Sequence, residues 1–315
     1  MKKWSIGFVF VLGVLTMALG FQQKPETLPA NEVELGKQLF FDNILSKDYK
    51  ISCASCHNPK FAFADSVPFS HGNDGSEGKR NAPSVMNMAS RSIFFYDGRA
   101  ATLEAQAIFP IEDPLEMDLP IEQAITRLKE NAFYAAAFKK IYKKSPNKEL
   151  LGKALAAYES TLETSASDWD LFAKGKKSNF SEAAQRGREI FNEKGKCFDC
   201  HFGPDFTGDE FRNIGLFNNK DLNDAGRFWI TKNSSDIGKF KVPGLRNVAV
   251  TAPYMHNGMF KTLREVVDYY NEPGKFVQGS LNTDSLLSKP LGLNEQEITD
   301  LIAFLESLTD HQFKK

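Results

Sequence analysis

Two five-residue stretches carry the densest chemistry of the chain: CASCH at residues 53–57 and CFDCH at residues 197–201. In each, two cysteines three apart present thiols from one turn of backbone, spaced to add across the two vinyl groups of a haem. The histidine that follows is placed to reach the iron. Cys53, Cys56, Cys197 and Cys200 are all the cysteines there are, so none remains for a structural disulfide or a lone catalytic thiol. Paired CxxC elements also suit a four-ligand zinc site, and one alone suits a thioredoxin-like redox pair. A histidine directly after both pairs, His57 and His201, favours two covalently bound haem c groups. What then fills the sixth position of each iron decides between electron transfer and catalysis.

The elements that position these groups come in two copies. ELGKQLFFD before the first motif resembles QRGREIFNE before the second, pairing Gly36 with Gly187 and Phe40 with Phe191. APSVMNMA (82–89) resembles VPGLRNVA (242–249), and FYDGRAATLEAQ (95–106) resembles MHNGMFKTLREV (255–266). Three collinear matches with one haem motif per unit predict an all-α protein of two cytochrome c-like domains, residues 21–175 and 176–315. Helix starts are expected at Asn31-x-x-Glu34, Thr262-x-x-Glu265 and Asn294-x-x-Glu297, where a short polar cap and a glutamate satisfy free backbone N–H groups. Apolar spacing from Leu150 through Leu162 predicts a helix ending near Thr164, followed by the domain seam. The loop SVPFSHGNDGSEGKRNAP (66–83) is rich in glycine and is expected to be mobile.

The first twenty residues, MKKWSIGFVFVLGVLTMALG, read as a secretory signal peptide: two lysines, an apolar run from Ile6 to Leu19, then small residues. The run is shorter than the ~20 residues of a spanning helix, so an uncleaved anchor is the weaker reading. A periplasmic location follows, where haem is attached to CxxCH. With 39 Lys and Arg against 40 Asp and Glu, and no basic block, nucleic acid is not an expected partner. A homodimer is left open.

The duplication locates the side chain that distinguishes the two irons. Eight residues after Thr262 stands Tyr270; eight after Thr102 stands Pro110, which has no donor atom. The first iron is thus expected to be open or replaceable, the second closed. Met255 and Met259 are alternative ligands, but the repeat aligns them with Phe95 and Arg99, outside the ligand helix.

With both CxxCH sites, DGRAATLEAQA, the LEM around Glu116 and LRNVAVTAPYMHNG, the sequence resembles the bacterial dihaem cytochrome c peroxidase family, which includes the protein-modifying oxidase of methylamine dehydrogenase maturation. The resemblance implies a peroxidatic first haem fed with electrons by the second, hydrogen peroxide as substrate, and a small cytochrome c or cupredoxin as donor. It places the family's distal glutamine and glutamate on Gln106 and Glu116; a carboxylate near the iron can relay the proton that uneven O–O cleavage needs. It makes His71 the cap of the resting first haem and Tyr96 the residue between the haems, where relatives have tryptophan. It matches a calcium site to Asn81, Thr251 and Pro253, whose oxygens suit that ion. His256, aligned with Tyr96, is expected near the haem interface. Relatives with peroxidase activity place methionine on the second iron, whereas tyrosine is the ligand in the protein-modifying branch. A tyrosine-ligated oxidase of a protein side chain and a non-enzymatic electron carrier are therefore the rival readings.

Overall fold

The computed structural model describes residues 27–314 apart from residue 288; the segment read as an export signal lies outside the described residues. The first domain contains α1 (Glu32–Phe41), α2 (Cys53–Cys56), α3 (Leu103–Gln106), α4 (Phe109–Glu112), α5 (Ile121–Glu130), α6 (Ala132–Tyr142) and α7 (Lys148–Glu159). There follow α8 (Asp168–Ala173), α9 (Glu182–Asn192), α10 (Phe228–Thr231), α11 (Leu263–Asn271), α12 (Pro273–Phe276) and α13 (Glu295–Ser307). A two-residue antiparallel pair, β1 (Phe211–Arg212) with β2 (Phe240–Lys241), is the strand structure among the described residues. No described helix is long and apolar enough to cross a membrane.

Sequence dictates the helix starts. Asn31 accepts from the Glu34 N–H while Glu34 accepts from the Ala30 N–H, closing the first turn of α1. Thr262 and Asn294 form full capping boxes with Glu265 and Glu297. The helix expected to reach Thr164 ends earlier, at Glu159. Thr161 Oγ1 donates to the Tyr158 carbonyl and Leu162 N–H to that of Glu159, turning the chain out of the helix.

Each domain is built on one helix crossing. A Cβ on Gly36 of α1 would lie 1.8 Å from the Ala154 carbonyl oxygen of α7, and one on Gly187 of α9 would lie 1.9 Å from that of Asp300 on α13. Only glycine lets these backbones approach so closely. Gly187→Ala is therefore expected to lower stability by about 1–3 kcal/mol through overpacking, outweighing alanine's better helix propensity; denaturant unfolding of the holoprotein measures it. Around the crossings lie two cores, one with Leu35, Leu39, Phe40 and Phe138, the other with Phe191, Leu301 and Phe304.

The duplication extends to the backbone. Left-handed conformations occur at Phe63 and Phe206, Asn87 and Asn247, Phe95 and Met255, and Gly98 and Gly258. One departure concerns the seam. Trp169 of α8 packs on Phe180, Phe206 and Phe304, and Asp170 pairs with Arg246. By packing, α8 joins the second core, ahead of the boundary expected after residue 175. Arg80 fastens the halves together, its guanidinium 2.7 Å from both Asp97 and Asp224.

Candidate active site

Both CxxCH motifs form a single tight turn, and each histidine is oriented by a carbonyl from a left-handed residue. His57 Nδ1 lies 3.2 Å from the Phe63 oxygen, and His201 Nδ1 lies 2.9 Å from that of Phe206. A carbonyl acceptor fixes the proton on Nδ1 and leaves Nε2 as the electron-pair donor, the arrangement an iron ligand needs. Burial lowers both histidine pKa values, keeping the imidazoles neutral. The four thiols are unpaired, and burial pushes Cys56 up to about 11 and Cys197 up to about 12. No three His, Cys, Asp or Glu side chains converge on a metal-sized point among the described residues, so the two CxxC pairs do not meet in one zinc site. Both histidines instead face a continuous cavity of about 1110 Å³. An apolar-walled space beside each CxxCH histidine, with thiols available for thioether bonds, fits two haem c groups.

On the side of the first histidine, Thr102 caps α3 through the Ala105 N–H at 3.1 Å. This helix stops at Gln106, and the chain restarts in α4 with Pro110 in its first turn. Gln106, Pro110 and Glu116 all line the cavity with His57. Burial pushes the Glu116 carboxyl up to about 7; Asp113 adds to the shift and Arg99 opposes it. The loop carrying His71 is seated on this segment. Asn73 N–H donates to the Glu116 carbonyl at 2.7 Å, and a Cβ on Gly72 would come within 2.2 Å of the Leu115 oxygen. His71 is exposed on its outer side yet borders the cavity. Expected to be mobile, the loop is tied by Gly72 N–H to the Ser76 carbonyl, Gly78 N–H to that of Ser70, and Asn73 to Asp48. Gly72 serves close approach, whereas Gly75 serves a left-handed turn.

On the other side, Thr262 starts α11, which runs unbroken through Asn271 and brings Tyr270 to the cavity that His201 borders. Burial, with Tyr269, Cys197 and Cys200 nearby, pushes the Tyr270 phenol well above its ordinary range. Its neighbour Tyr269 is fully buried and donates to the Ile214 carbonyl, so the two adjacent tyrosines have separate tasks. Met255 borders the cavity, whereas Met259 is 36% exposed and does not.

Between the domains, the Tyr96 carbonyl accepts from Lys241 N–H at 2.7 Å, and Tyr96 lines the cavity. His256 stacks on Phe240 with ring centroids 3.7 Å apart, and burial pulls its pKa down to about 4. Asn81, Thr251 and Pro253 all line the same cavity. Asn81 Nδ2 donates to the Val67 carbonyl at 3.1 Å, leaving the amide oxygen as the side free to accept a cation. These neutral oxygens fit calcium. Sequence reading passed over Arg80, whose two partners lie in different domains and leave no local pattern, and Glu159, which sits inside an ordinary amphipathic helix.

The family model for di-haem cytochrome c peroxidase matches residues 30–178, and that for cytochrome c matches residues 184–309. The chain is 37% identical to cytochrome-c peroxidase IdrP1 of Denitromonas iodatirespirans, covering 90% of this chain and 82% of that one. It is 36% identical to methylamine utilization protein MauG of Methylorubrum extorquens, covering 90% and 80%. Its fold resembles that of a MauG-like protein associated with microbial copper homeostasis, with a TM-score of 0.79, 31% identity and 91% of both chains covered. It also resembles the diheme peroxidase BthA from Burkholderia thailandensis, with a TM-score of 0.78, 26% identity, and 90% and 86% covered.

Proposed function

Because the chain belongs to the dihaem cytochrome c peroxidase family, we propose that it reduces hydrogen peroxide to water in the periplasm, drawing electrons from a small cytochrome c or cupredoxin. The observation that carries this reading is an asymmetry. Gln106, Pro110 and Glu116 line the cavity, with Glu116 acting on Cys53 and Cys56 of the first motif, whereas Tyr270 lines it near Cys197 and Cys200 of the second.

Haem held at Cys53, Cys56 and His57 would supply the iron chemistry that cleaves peroxide, and haem held at Cys197, Cys200 and His201 would supply electron storage. The polypeptide supplies the rest. Peroxide plus two electrons and two protons gives two waters, and breaking the O–O bond unevenly needs a proton moved from one peroxide oxygen to the other. Glu116, whose pKa of about 7 leaves it part carboxylate and part acid at neutral pH, can accept that proton and return it. Gln106 donates an amide hydrogen bond that orients the oxygen without titrating. Tyr96 and the Arg80 clamp hold the path between domains. Asn81, Thr251 and Pro253 would hold a calcium, which would fix the same junction. His71, which lines the cavity, would cap the first site at rest.

Steady-state peroxide consumption with a pre-reduced small c-type cytochrome tests this reading. Turnover is expected to rise with pH through about 7, as the raised Glu116 pKa is crossed and the carboxylate becomes available, and to level off above. No turnover after pre-reduction would remove the peroxidase assignment. Tyr270 favours a second reading, withdrawal of electrons from a protein side chain; oxidation of such a substrate by peroxide, with little turnover of small carriers, would replace the first.

A further inference from the structure

The two domains differ at one buried position that the peroxide chemistry does not use. Gly36 meets Ala154 and then Tyr158 on α7; Gly187 meets Asp300 and then Phe304 on α13. The next residues are therefore structural twins: Glu159 in the first domain and Leu305 in the second. Both are buried and both line the cavity. Glu159 is only 4% exposed, and its Oε2 is buried without a hydrogen-bond partner. A carboxyl where the twin has a leucine, with nothing to pair it, is costly to bury, so packing does not explain it.

We propose that Glu159 is the proton partner of the first haem, taking up one proton when that haem accepts one electron from the donor protein and releasing it on reoxidation. The inference rests on haem being attached at Cys53 and Cys56, not on peroxide being the substrate.

The surroundings leave Glu159 free to respond to the iron. Its charge acts on Cys53, the attachment residue of α2, and on Tyr158 of its own helix. Glu116, across the cavity, acts on the same cysteine. Elsewhere on α7, Lys148, Glu149 and Lys153 are exposed. Of the elements packed against α7, α1 carries exposed Glu32, Glu34 and Lys37, and α3 carries exposed Glu104. On α5, Glu122, Lys129 and Glu130 are exposed and Arg127 is half-buried. Burial alone raises the Glu159 pKa, to about 8. Adding an electron to the haem makes its surroundings more negative, which disfavours the carboxylate and raises the pKa further. Between the oxidised-state and reduced-state values, reduction carries a proton with it, and the potential falls as pH rises.

The test is anaerobic spectroelectrochemical titration of the first haem in the holoprotein from pH 6 to 10, for wild type, Glu159→Gln and Glu159→Leu, the twin's residue. Wild type is expected to show its reduction equilibrium constant falling up to tenfold per pH unit above the oxidised-state pKa, about 59 mV for one electron. In Glu159→Gln the slope above about pH 8 is lost; in Glu116→Gln that slope persists, and only the contribution near pH 7 goes. The second haem keeps its own profile throughout. Glutamine preserves shape, so the test stands if the leucine variant fails to load haem. A wild-type potential that is flat over this range, or the same slope in Glu159→Gln, would overturn the proposal.

Discussion

Replacing Glu116 by glutamine is expected to slow peroxide turnover by roughly 10²–10⁴-fold, the usual span for losing a positioned general acid–base group. The absorption spectra of both haems should stay as they are. The effect is this large because the immediate neighbours of Glu116 do not substitute for it. Gln106 beside it does not titrate, and Asp113 and Arg99 adjust the Glu116 pKa rather than replace it. Glutamine matches glutamate in shape and can still donate a hydrogen bond, so binding of peroxide should suffer far less than its cleavage. The limb of the pH profile near 7 should vanish with the carboxyl. Stopped-flow mixing of peroxide with the half-reduced protein separates the two steps. Unchanged turnover would remove Glu116 from the mechanism and with it the reason for a cavity acid beside Pro110.

Tyr270→Met is expected to raise the potential of the second haem by hundreds of millivolts, since axial ligands set haem potentials over about 0.8 V. A phenolate oxygen stabilises the ferric state, whereas a thioether sulfur favours the ferrous one. The surrounding structure makes the change a clean one. Tyr269 keeps its bond to the Ile214 carbonyl, and α11 is held by its capping box at Thr262, so the helix survives the substitution. Tyr270→Phe should instead leave the second iron without its sixth ligand and turn its spectrum high-spin. If neither variant altered the second haem, Tyr270 would be a packing residue and Met255, which also borders the cavity, the side chain to replace next.

Much of this architecture was legible in the chain because it was written twice. The CxxCH pairs, Gly36 with Gly187, and Thr102 with Thr262 mark equivalent points, and counting eight residues from the threonines reached Pro110 and Tyr270, both of which border the cavity. What could not be read lies in contacts between segments far apart in sequence. Trp169 has no local signal of which core it joins; that depends on Phe180, Phe206 and Phe304. Gly72 belongs to a loop whose glycines suggest motion, but glycine also permits close approach, and here Leu115 leaves no room for a Cβ. Arg80 and Asp224 are 144 positions apart, so their bond leaves no periodicity. Glu159 occupies a position that the helical pattern marks as apolar, and only the matching contacts of Gly36 on α7 and Gly187 on α13 show that its twin is Leu305.

The most direct test of the central claim is low-temperature magnetic circular dichroism with electron paramagnetic resonance on the holoprotein, oxidised and half-reduced, before and after adding cyanide. One iron is expected to carry a histidine and a phenolate and to ignore cyanide in both states. The other should bind cyanide in at least one of them. Two irons that hold two protein ligands each and ignore cyanide in every redox state would contradict the account and leave an electron carrier.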